Sequence, residues 1–275
     1  MITSIVLSKD RACQLQLTLD SIFANLPDCF SINVLYEYSS SDFKEGYEKL
    51  IKEWPIDYRV NFVKQNNFKE NVLELCNEGH SYICFFTDDD IVYSRIKEFD
   101  VDSLFNTHDL GCFSLRLGRN TYMQDPYRKI GVVFPEQGYL SGDMVFWDFT
   151  TVNNSPYGRD TNFGYPLSLD GHIFKKEVVV PWMSEIEYDQ PNALEARLQK
   201  KNDEMPVNMG CFVDSRVVNT PLNLVGSSEN MAGEFFGQSL KELNDMYLEG
   251  KRIDLSKMDF SNVIGCHQEI ELKWL

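Results

Sequence analysis

The feature that most constrains the fold is an alternation of short apolar runs with helical patterns across the first ninety residues. Four apolar runs have the length and composition of buried strands, at residues 2–7, 32–38, 58–63 and 82–86. Between them, apolar residues recur at helical spacing, as Leu15, Leu19 and Ile22 do after the first run. Repeated β-α units build a parallel sheet with helices on both faces. The sequence therefore predicts an α/β fold with a mostly parallel central sheet flanked by helices.

Helix starts are marked by polar residues in the same part of the chain. Ser41 or Asp42 is expected to cap the second helix, and a third helix is expected over residues 67–76. Beyond residue 100, residues 111–117 and 167–174 favour strands, whereas residues 192–200 and 239–248 favour helices. Residues 118–164, rich in turn-forming residues, fit either a loop-rich region or a set of short strands.

The chain length is compatible with one main domain that carries a C-terminal elaboration. With 275 residues, the chain is long for one ordinary domain and short for two complete ones. Residues 263–274 alternate partly in hydropathy, and we expect them to pack back on the sheet. We therefore predict a single domain over residues 1–275.

Charge and cysteine usage exclude several classes of protein. The formal charge of −16, from 26 basic and 42 acidic residues, argues against broad nucleic-acid binding but leaves room for a pocket that binds one anionic ligand. The seven cysteines are scattered singly without a C-x-x-C pair, which favours reduced thiols in a cytoplasmic setting. No signal-peptide pattern is visible at residues 1–7, and no apolar run approaches the roughly 20 residues of a membrane span.

Three carboxylates follow the fourth predicted strand directly. The segment Phe85-Phe86-Thr87-Asp88-Asp89-Asp90 places three adjacent acids at a strand end, where they repel one another unless a cation is present. Mg²⁺ and Mn²⁺ favour oxygen ligands and share them between protein carboxylates and substrate phosphates. Alternation along an extended chain would put Asp88 and Asp90 on one side and Asp89 on the other. A solvated acidic turn or a helix cap is the alternative interpretation.

Polar residues also follow the other predicted strands. In open α/β sheets the ligand crevice lies beyond the carboxyl ends of the strands, so the residues that follow each strand should converge. These residues are Ser8, Asp10, Tyr38, Ser39, Gln65, Asn66 and the acids at 88–90. Asp10 can accept a hydrogen bond from a base and Tyr38 can stack on it, although capping by Asp10 and core packing by Tyr38 fit equally well.

This array, ending in a hydrophobic strand and Asp88-x-Asp90, resembles the nucleotide-binding half of the GT-A glycosyltransferases, particularly the family 2-like enzymes. The resemblance covers about the first third of the chain. It implies that residues 1–100 bind a nucleotide-diphosphate sugar and that residues 101–275 bind the acceptor. It further implies a Mn²⁺ or Mg²⁺ ion held by Asp88 and Asp90. The residues expected at the donor are Ser8, Asp10, Arg11, Tyr38, Ser39, Asn66, Lys69 and Asp89.

Later segments resemble small bacterial and viral members of the same family. Residues 168–174 and 190–195 match the strand and the helix start where inverting enzymes carry their catalytic base, which implies this role for Glu195, with Asp189 and Asp170 in reserve. A place on an ordinary helix surface is the alternative for Glu195. His267 resembles the C-terminal histidine that often adds a metal or diphosphate contact, and its alternative is a structural role. Arg116 and Arg119 are further possible partners of the diphosphate.

Missing motifs narrow the predicted activity. The Q-x-x-R-W sequence of processive family 2 polymerases is absent, which favours transfer of a single sugar. Neither G-x-G-x-x-G nor a P-loop is present, which disfavours dinucleotide dehydrogenases and P-loop kinases. We predict a metal-dependent, non-processive and inverting glycosyltransferase that acts on a glycan or other hydroxyl acceptor. Another metal-dependent nucleotidyltransferase and a non-catalytic carbohydrate-binding protein are the rival hypotheses.

Overall fold

A computed structural model describes residues 1–55, 60–135, 138–153, 162–225 and 232–275. Four strands alternate with three helices at the start of the chain: β1 (Ile2–Lys9), α1 (Ala12–Asn25), β2 (Phe30–Glu37), α2 (Ser41–Glu53), β3 (Val60–Lys64), α3 (Phe68–Glu78) and β4 (Tyr82–Thr87). The four strands are parallel and lie in the order β3-β2-β1-β4. β1 is buried along all but its last residue, as a central strand must be. The predicted parallel β-α array is confirmed.

The rest of the chain widens the sheet and adds short elements. These are β5 (Asp90–Val92), α4 (Val101–His108), β6 (Leu110–Ser114), β7 (Met123–Asp125), β8 (Ile130–Gly131), β9 (Gly138–Ser141), β10 (Met144–Asp148), α5 (Phe149–Asn153), β11 (His172–Lys175), α6 (Lys176–Glu185), α7 (Pro191–Leu198), β12 (Asn208–Phe212), β13 (Val217–Asn219) and α8 (Leu240–Leu248). Within the described ranges, the main sheet has nine strands in the order β3-β2-β1-β4-β11-β6-β12-β10-β9. β11 runs antiparallel to both β4 and β6. The mixed sheet carries apolar clusters on both faces.

Several element boundaries differ from the sequence-based expectation. Ser40 caps α2 instead of Ser41 or Asp42, because its side chain accepts the N–H of Phe43. β3 begins at Val60 within the described residues, and positions 58 and 59 of the expected strand lie outside them. β6 ends at Ser114, where the Oγ atom accepts the N–H of Leu117 at 3.0 Å and turns the chain. In the described part of 118–164, short strands alternate with irregular segments.

The C-terminal segment packs along β13, next to the carboxyl end of β4. The N–H of Asn219 donates to the carbonyl of Cys266, and the N–H of Gln268 donates to the carbonyl of Asn219, both at 2.9 Å. This pairing fixes His267 beside Asn219. α8 packs on α2, where a Cβ on Gly46 would lie 2.3 Å from Asn244 Oδ1, so only glycine allows this approach.

In the part of the chain that the structure describes, no helix combines the length and the apolar composition of a membrane span.

Candidate active site

A cleft of about 960 Å³ opens at the carboxyl ends of the parallel strands. Lys9 and Glu37 line it from the ends of β1 and β2, Gln65 follows β3, and Asp88 and Asp89 follow β4. The convergence at one sheet edge is the one expected for an open α/β sheet. Its opposite wall comes from residues within 116–127, 162–195, 219–225 and 232–269.

The acidic turn after β4 is anchored by a buried arginine. Arg11 Nη1 donates to Asp88 Oδ1 and to Asp89 Oδ2, at 2.8 Å in each case, and Nε donates to Asn223 Oδ1 at 2.8 Å. Burial opposes the charge of Arg11, but Asp89 and Asp88 outweigh it and raise the pKa of the guanidinium above its ordinary value. The expected alternation is wrong, because the chain turns at residues 88 and 89 and both carboxylates meet the same arginine.

Asp90 is fully buried behind the other two acids and does not line the cleft. Its carboxylate accepts the N–H of Thr87 at 2.9 Å and the amide of Asn219 at 3.2 Å. The same amide donates to Asp89 Oδ1 at 2.8 Å. Burial, followed by the charges of Asp170 and Asp89, raises the pKa of Asp90 well above its usual range. Asp90 therefore supports the turn from below, and Asp88 and Asp89 face the cleft.

A second arginine organises the opposite side of the cleft floor. Arg116 Nη1 donates to Asp170 Oδ2 at 2.8 Å and to His267 Nε2 at 3.0 Å. Because arginine can only donate, His267 Nε2 presents a lone pair, and its Nδ1–H donates to Asn219 Oδ1 at 3.3 Å. Loss of hydration and the Arg116 charge lower the pKa of His267, which favours this neutral form. Asn219 thus links His267 to the acidic turn.

Glu195 lines the cleft from α7, near Asp170. Its Oε2 accepts the N–H of Leu169 at 2.8 Å and the hydroxyl of Ser168 at 3.2 Å, which fixes the carboxylate. Burial, followed by the charge of Asp170, raises the pKa of Glu195, whereas a hydrogen bond with Tyr165 opposes the shift. A fixed carboxylate with a raised pKa suits a general base. Asp189 also lines the cleft but is exposed.

Acid exceeds base at the cleft floor. Five carboxylates, those of Asp88, Asp89, Asp90, Asp170 and Glu195, accompany the two guanidiniums of Arg11 and Arg116. Burial raises the pKa of Asp88 to about 6 even though Arg11 opposes the shift. The arginines therefore offset only part of the repulsion, and a further cation would relieve the rest.

Other residues predicted from the sequence lie away from the cleft lining. Asp10 is buried with φ of 57° and accepts the N–H of Ser39 at 2.6 Å, so it fixes the turn after β1. The Tyr38 ring lies under Lys64, with Nζ 4.5 Å from the ring centroid. Asn66 donates its N–H to Asn71, and Lys69 pairs with Glu187 at 2.9 Å. Ser8 does line the cleft, and its hydroxyl bonds that of Tyr47 at 2.6 Å.

Several residues of the cleft were not found from the sequence. Lys9 and Glu37 form an ion pair at 2.9 Å on the donor side. Gln65, which was expected at the crevice from the sequence, donates its Nε2–H to Glu37 at 3.4 Å. Asn219 joins Asp89 to His267, and Asn223 accepts from Arg11. A polar residue at the end of a strand was the available signal for Glu37, whereas Asn223 lies in an irregular segment without one.

The donor set suits a hard divalent cation shared with a ligand. Among the described residues no three His, Cys, Asp or Glu side chains meet as a complete metal site. Mg²⁺ and Mn²⁺ commonly use one or two protein carboxylates and complete their shell with phosphates and water. Asp89 and Asp170 provide carboxylates on the cleft wall, whereas the lone pair of His267 Nε2 is occupied by the hydrogen bond from Arg116. The chemistry of these side chains therefore fits a shared cation.

Comparison with known proteins agrees with this architecture. No protein-family model matches the chain. The structure of residues 1–349 of TarS from S. aureus superposes with a TM-score of 0.50 at 11% identity, covering 79% of this chain and 59% of the 1–349 chain. The chain has the GT-A fold. A TarS structure in complex with UDP gives a TM-score of 0.49 at 12% identity, covering 79% of this chain and 59% of that one.

A sequence relative links the GT-A chain to a transferase. It is 33% identical over 184 residues to the bifunctional glycosyltransferase pgtA of Dictyostelium discoideum. The match covers 62% of this chain and 23% of that protein, so the chain corresponds to about a quarter of its relative.

Proposed function

We propose that the chain transfers one sugar from a nucleotide-diphosphate sugar to an acceptor hydroxyl. Residues 1–100 bind the donor, and residues 101–275 bind the acceptor and complete the site. The observation that carries this proposal is the acidic turn of Asp88 and Asp89, which faces a large cleft at the carboxyl edge of the sheet. The GT-A fold and the relationship to a glycosyltransferase support it.

Donor binding is assigned to the strand ends on the β1 side. Glu37 and Gln65 offer a carboxylate and an amide for the edge of a base, with Lys9 beside them. Arg11 keeps Asp88 and Asp89 fixed at the point where the diphosphate enters. Lys69, turned toward Glu187, is not assigned to the diphosphate.

A divalent cation completes this donor site. Asp89 would hold it, with Asp170 as the second protein ligand and Asp90 supporting the turn from behind. His267 would join them only if Arg116 released its Nε2 lone pair. When bound, the cation supplies Lewis-acid stabilisation for the charge that grows on the departing diphosphate. Arg116 keeps Asp170 and His267 oriented toward the same region.

Glu195 is the proposed general base. Its carboxylate takes the proton of the acceptor hydroxyl while that oxygen attacks the anomeric carbon and the bond to the diphosphate breaks. One displacement of this kind inverts the anomeric configuration. The hydrogen bonds from Leu169 and Ser168 keep the carboxylate in place. Asp189, exposed at the rim, is the reserve candidate.

Calorimetry with UDP and GDP, with and without Mn²⁺, tests the donor site. We expect Mn²⁺-dependent binding of one nucleotide, and a loss of at least about tenfold in affinity for Asp89→Asn. Asp203→Asn, an exposed acid outside the cleft, is the matched control and should bind normally. Absence of Mn²⁺-dependent binding would contradict the proposal and favour a non-catalytic scaffold.

A transfer assay with the nucleotide sugar that binds tests the chemistry. Glu195→Gln should lower kcat by a factor of about 10² or more, since the base can no longer accept a proton. Asp90→Asn should reduce turnover by disturbing the acidic turn. Full turnover in both variants would sink the mechanism, and transfer of the nucleoside monophosphate with release of a sugar 1-phosphate would indicate a nucleotidyltransferase.

A further inference from the structure

A stacked aromatic pair stands at the rim of the cleft. The rings of Tyr127 and Phe235 lie 4.4 Å apart between centroids with an interplanar angle of 21°. Tyr127 lines the cleft, whereas Phe235 is 60% exposed and its neighbour Phe236 is 42% exposed. Two adjacent exposed phenylalanines lose hydrophobic stabilisation unless something covers them. Their position beside a substrate cleft points to a ligand.

The segment that carries these phenylalanines is held in one conformation. Glu269, 4% exposed, accepts three successive backbone N–H groups, from Glu234 at 2.6 Å, Phe235 at 3.0 Å and Phe236 at 2.7 Å. The backbone N–H of Glu269 in turn donates to the Tyr127 hydroxyl. One buried residue therefore contacts both partners of the stacked pair, through its carboxylate and its backbone N–H, and Phe235 is presented without a large ordering cost on binding.

We infer that Phe235 and Tyr127 form a stacking subsite for a pyranose ring of the acceptor, so that the acceptor is a saccharide. This inference rests on the proposed transferase function. Carbohydrate rings present a face of C–H bonds that packs on aromatic side chains, while their hydroxyls take hydrogen bonds at the edges. Tyr127 lines the same cleft as Glu195, and Phe235 extends the stacked pair beyond the cleft lining, which places the saccharide on the acceptor side.

The charges around the subsite select a neutral saccharide. Asp125, Glu234 and Glu269 line this part of the cleft. The nearby cation Arg128 lies 3.8 Å from Asp125 and 3.9 Å from Glu234, so it is already shared between two acids. Carboxylates accept hydrogen bonds from sugar hydroxyls but repel a uronate or a sugar phosphate. The expected ligand is an uncharged hexose or N-acetylhexosamine unit.

Saturation-transfer NMR tests the subsite with defined probes. The probes are the methyl pyranosides of glucose, galactose, mannose and N-acetylglucosamine, with methyl glucuronide and glucose 6-phosphate as anionic counterparts, each added to the full chain with UDP or GDP and Mn²⁺. We expect at least one neutral probe to bind and both anionic probes to fail. Phe235→Ala should weaken binding about five- to tenfold, in keeping with the loss of one stacking partner, and Phe235→Tyr should restore it.

Tyr139→Ala is the matched control. Tyr139 is also exposed, at 52%, and also stacks on a neighbouring ring, but neither it nor its partner Phe146 lines the cleft, whereas Phe235 stacks on the cleft residue Tyr127. The inference is overturned if no neutral probe binds, if the anionic probes bind as well, or if the Phe235 and Tyr139 variants behave alike. Failure of the proposed function is read separately, as absence of nucleotide binding in calorimetry. Thermal melting confirms that each variant folds.

Discussion

Arg11 and Asp89 meet through a 2.8 Å hydrogen bond from Nη1 to Oδ2, which joins the turn after β1 to the turn after β4. The side chains of Arg11 and Asp89 are only 9% and 10% exposed. The acidic turn is therefore partly neutralised by the protein itself, and a bound cation needs to offset only the remaining negative charge. The same ion pair therefore contributes both to the charge of the donor site and to the stability of the fold.

Replacing Arg11 by methionine should destabilise the chain. The change removes the buried cation that pairs with Asp88 and Asp89, and such a loss typically lowers the free energy of unfolding by about 3 kcal/mol. Urea unfolding measures the free energy, and added Mn²⁺ should recover part of it in the variant because the cation takes over the neutralisation. Lys241→Gln, which breaks an exposed pair with Asp245, should change stability little. Equal effects of the two substitutions would contradict this account of the cleft.

The rate of sugar transfer should rise with pH through the pKa of Glu195. A base acts in its ionised form, and burial together with Asp170 raises the pKa of Glu195 above the usual range of a carboxyl. The acid limb of the pH profile of kcat/KM should therefore have its midpoint above about pH 4.3, the ordinary pKa of a glutamate side chain. Tyr165→Phe removes a hydrogen bond that lowers this pKa, so it should move the limb to higher pH. An unshifted limb in that variant, or an unchanged limb in Glu195→Gln, would argue against Glu195 as the base.

The parallel array was predictable because local patterns determine it. Each β-α unit carries its own apolar periodicity and its own polar residue at the end of the strand, as Ser8 and Asp88 illustrate. The position of the ligand crevice at the sheet edge could therefore be predicted from short-range sequence patterns. The roles within the acidic turn were not predictable. They depend on Arg11 and Asn219, which lie 77 and 129 positions away from Asp88 and Asp90, respectively, and reach them only in the folded chain.

The same limit explains the donor residues that were misplaced. Asp10 and Tyr38 follow strands as expected, but Asp10 adopts a left-handed conformation and turns its carboxylate to Ser39. Glu37, one position earlier than Tyr38, faces the cleft instead. Side chains alternate along a strand. If the end of the strand is predicted one residue too late, the wrong residue is therefore expected to face the ligand.

Asp20 should make stability depend on pH independently of the cleft. Burial raises its pKa to about 6, although Gln16 and Arg252 oppose the shift. The folded-state pKa exceeds the unfolded value of about 3.9, so the stability present below pH 4 is lost as pH rises through about 6. Asp20→Asn should remove this loss and raise the melting temperature at pH 8 by about 2–4 °C, with little change at pH 4. A constant difference at both pH values would contradict the assignment.

Glu269 should be essential for the rim segment over residues 232–238. Its carboxylate accepts three backbone N–H groups, so Glu269→Ala leaves three donors without their partner, whereas the backbone N–H of residue 269 still donates to Tyr127. We expect faster proteolysis within 232–238 and a loss of about 2–4 kcal/mol in the free energy of unfolding. Glu271→Ala, whose side chain is 56% exposed, is the matched control from the same segment and should leave both properties unchanged. If both variants resist protease like the unmodified chain, the rim segment is held by contacts other than the Glu269 carboxylate, and the fixed presentation of Phe235 requires another cause.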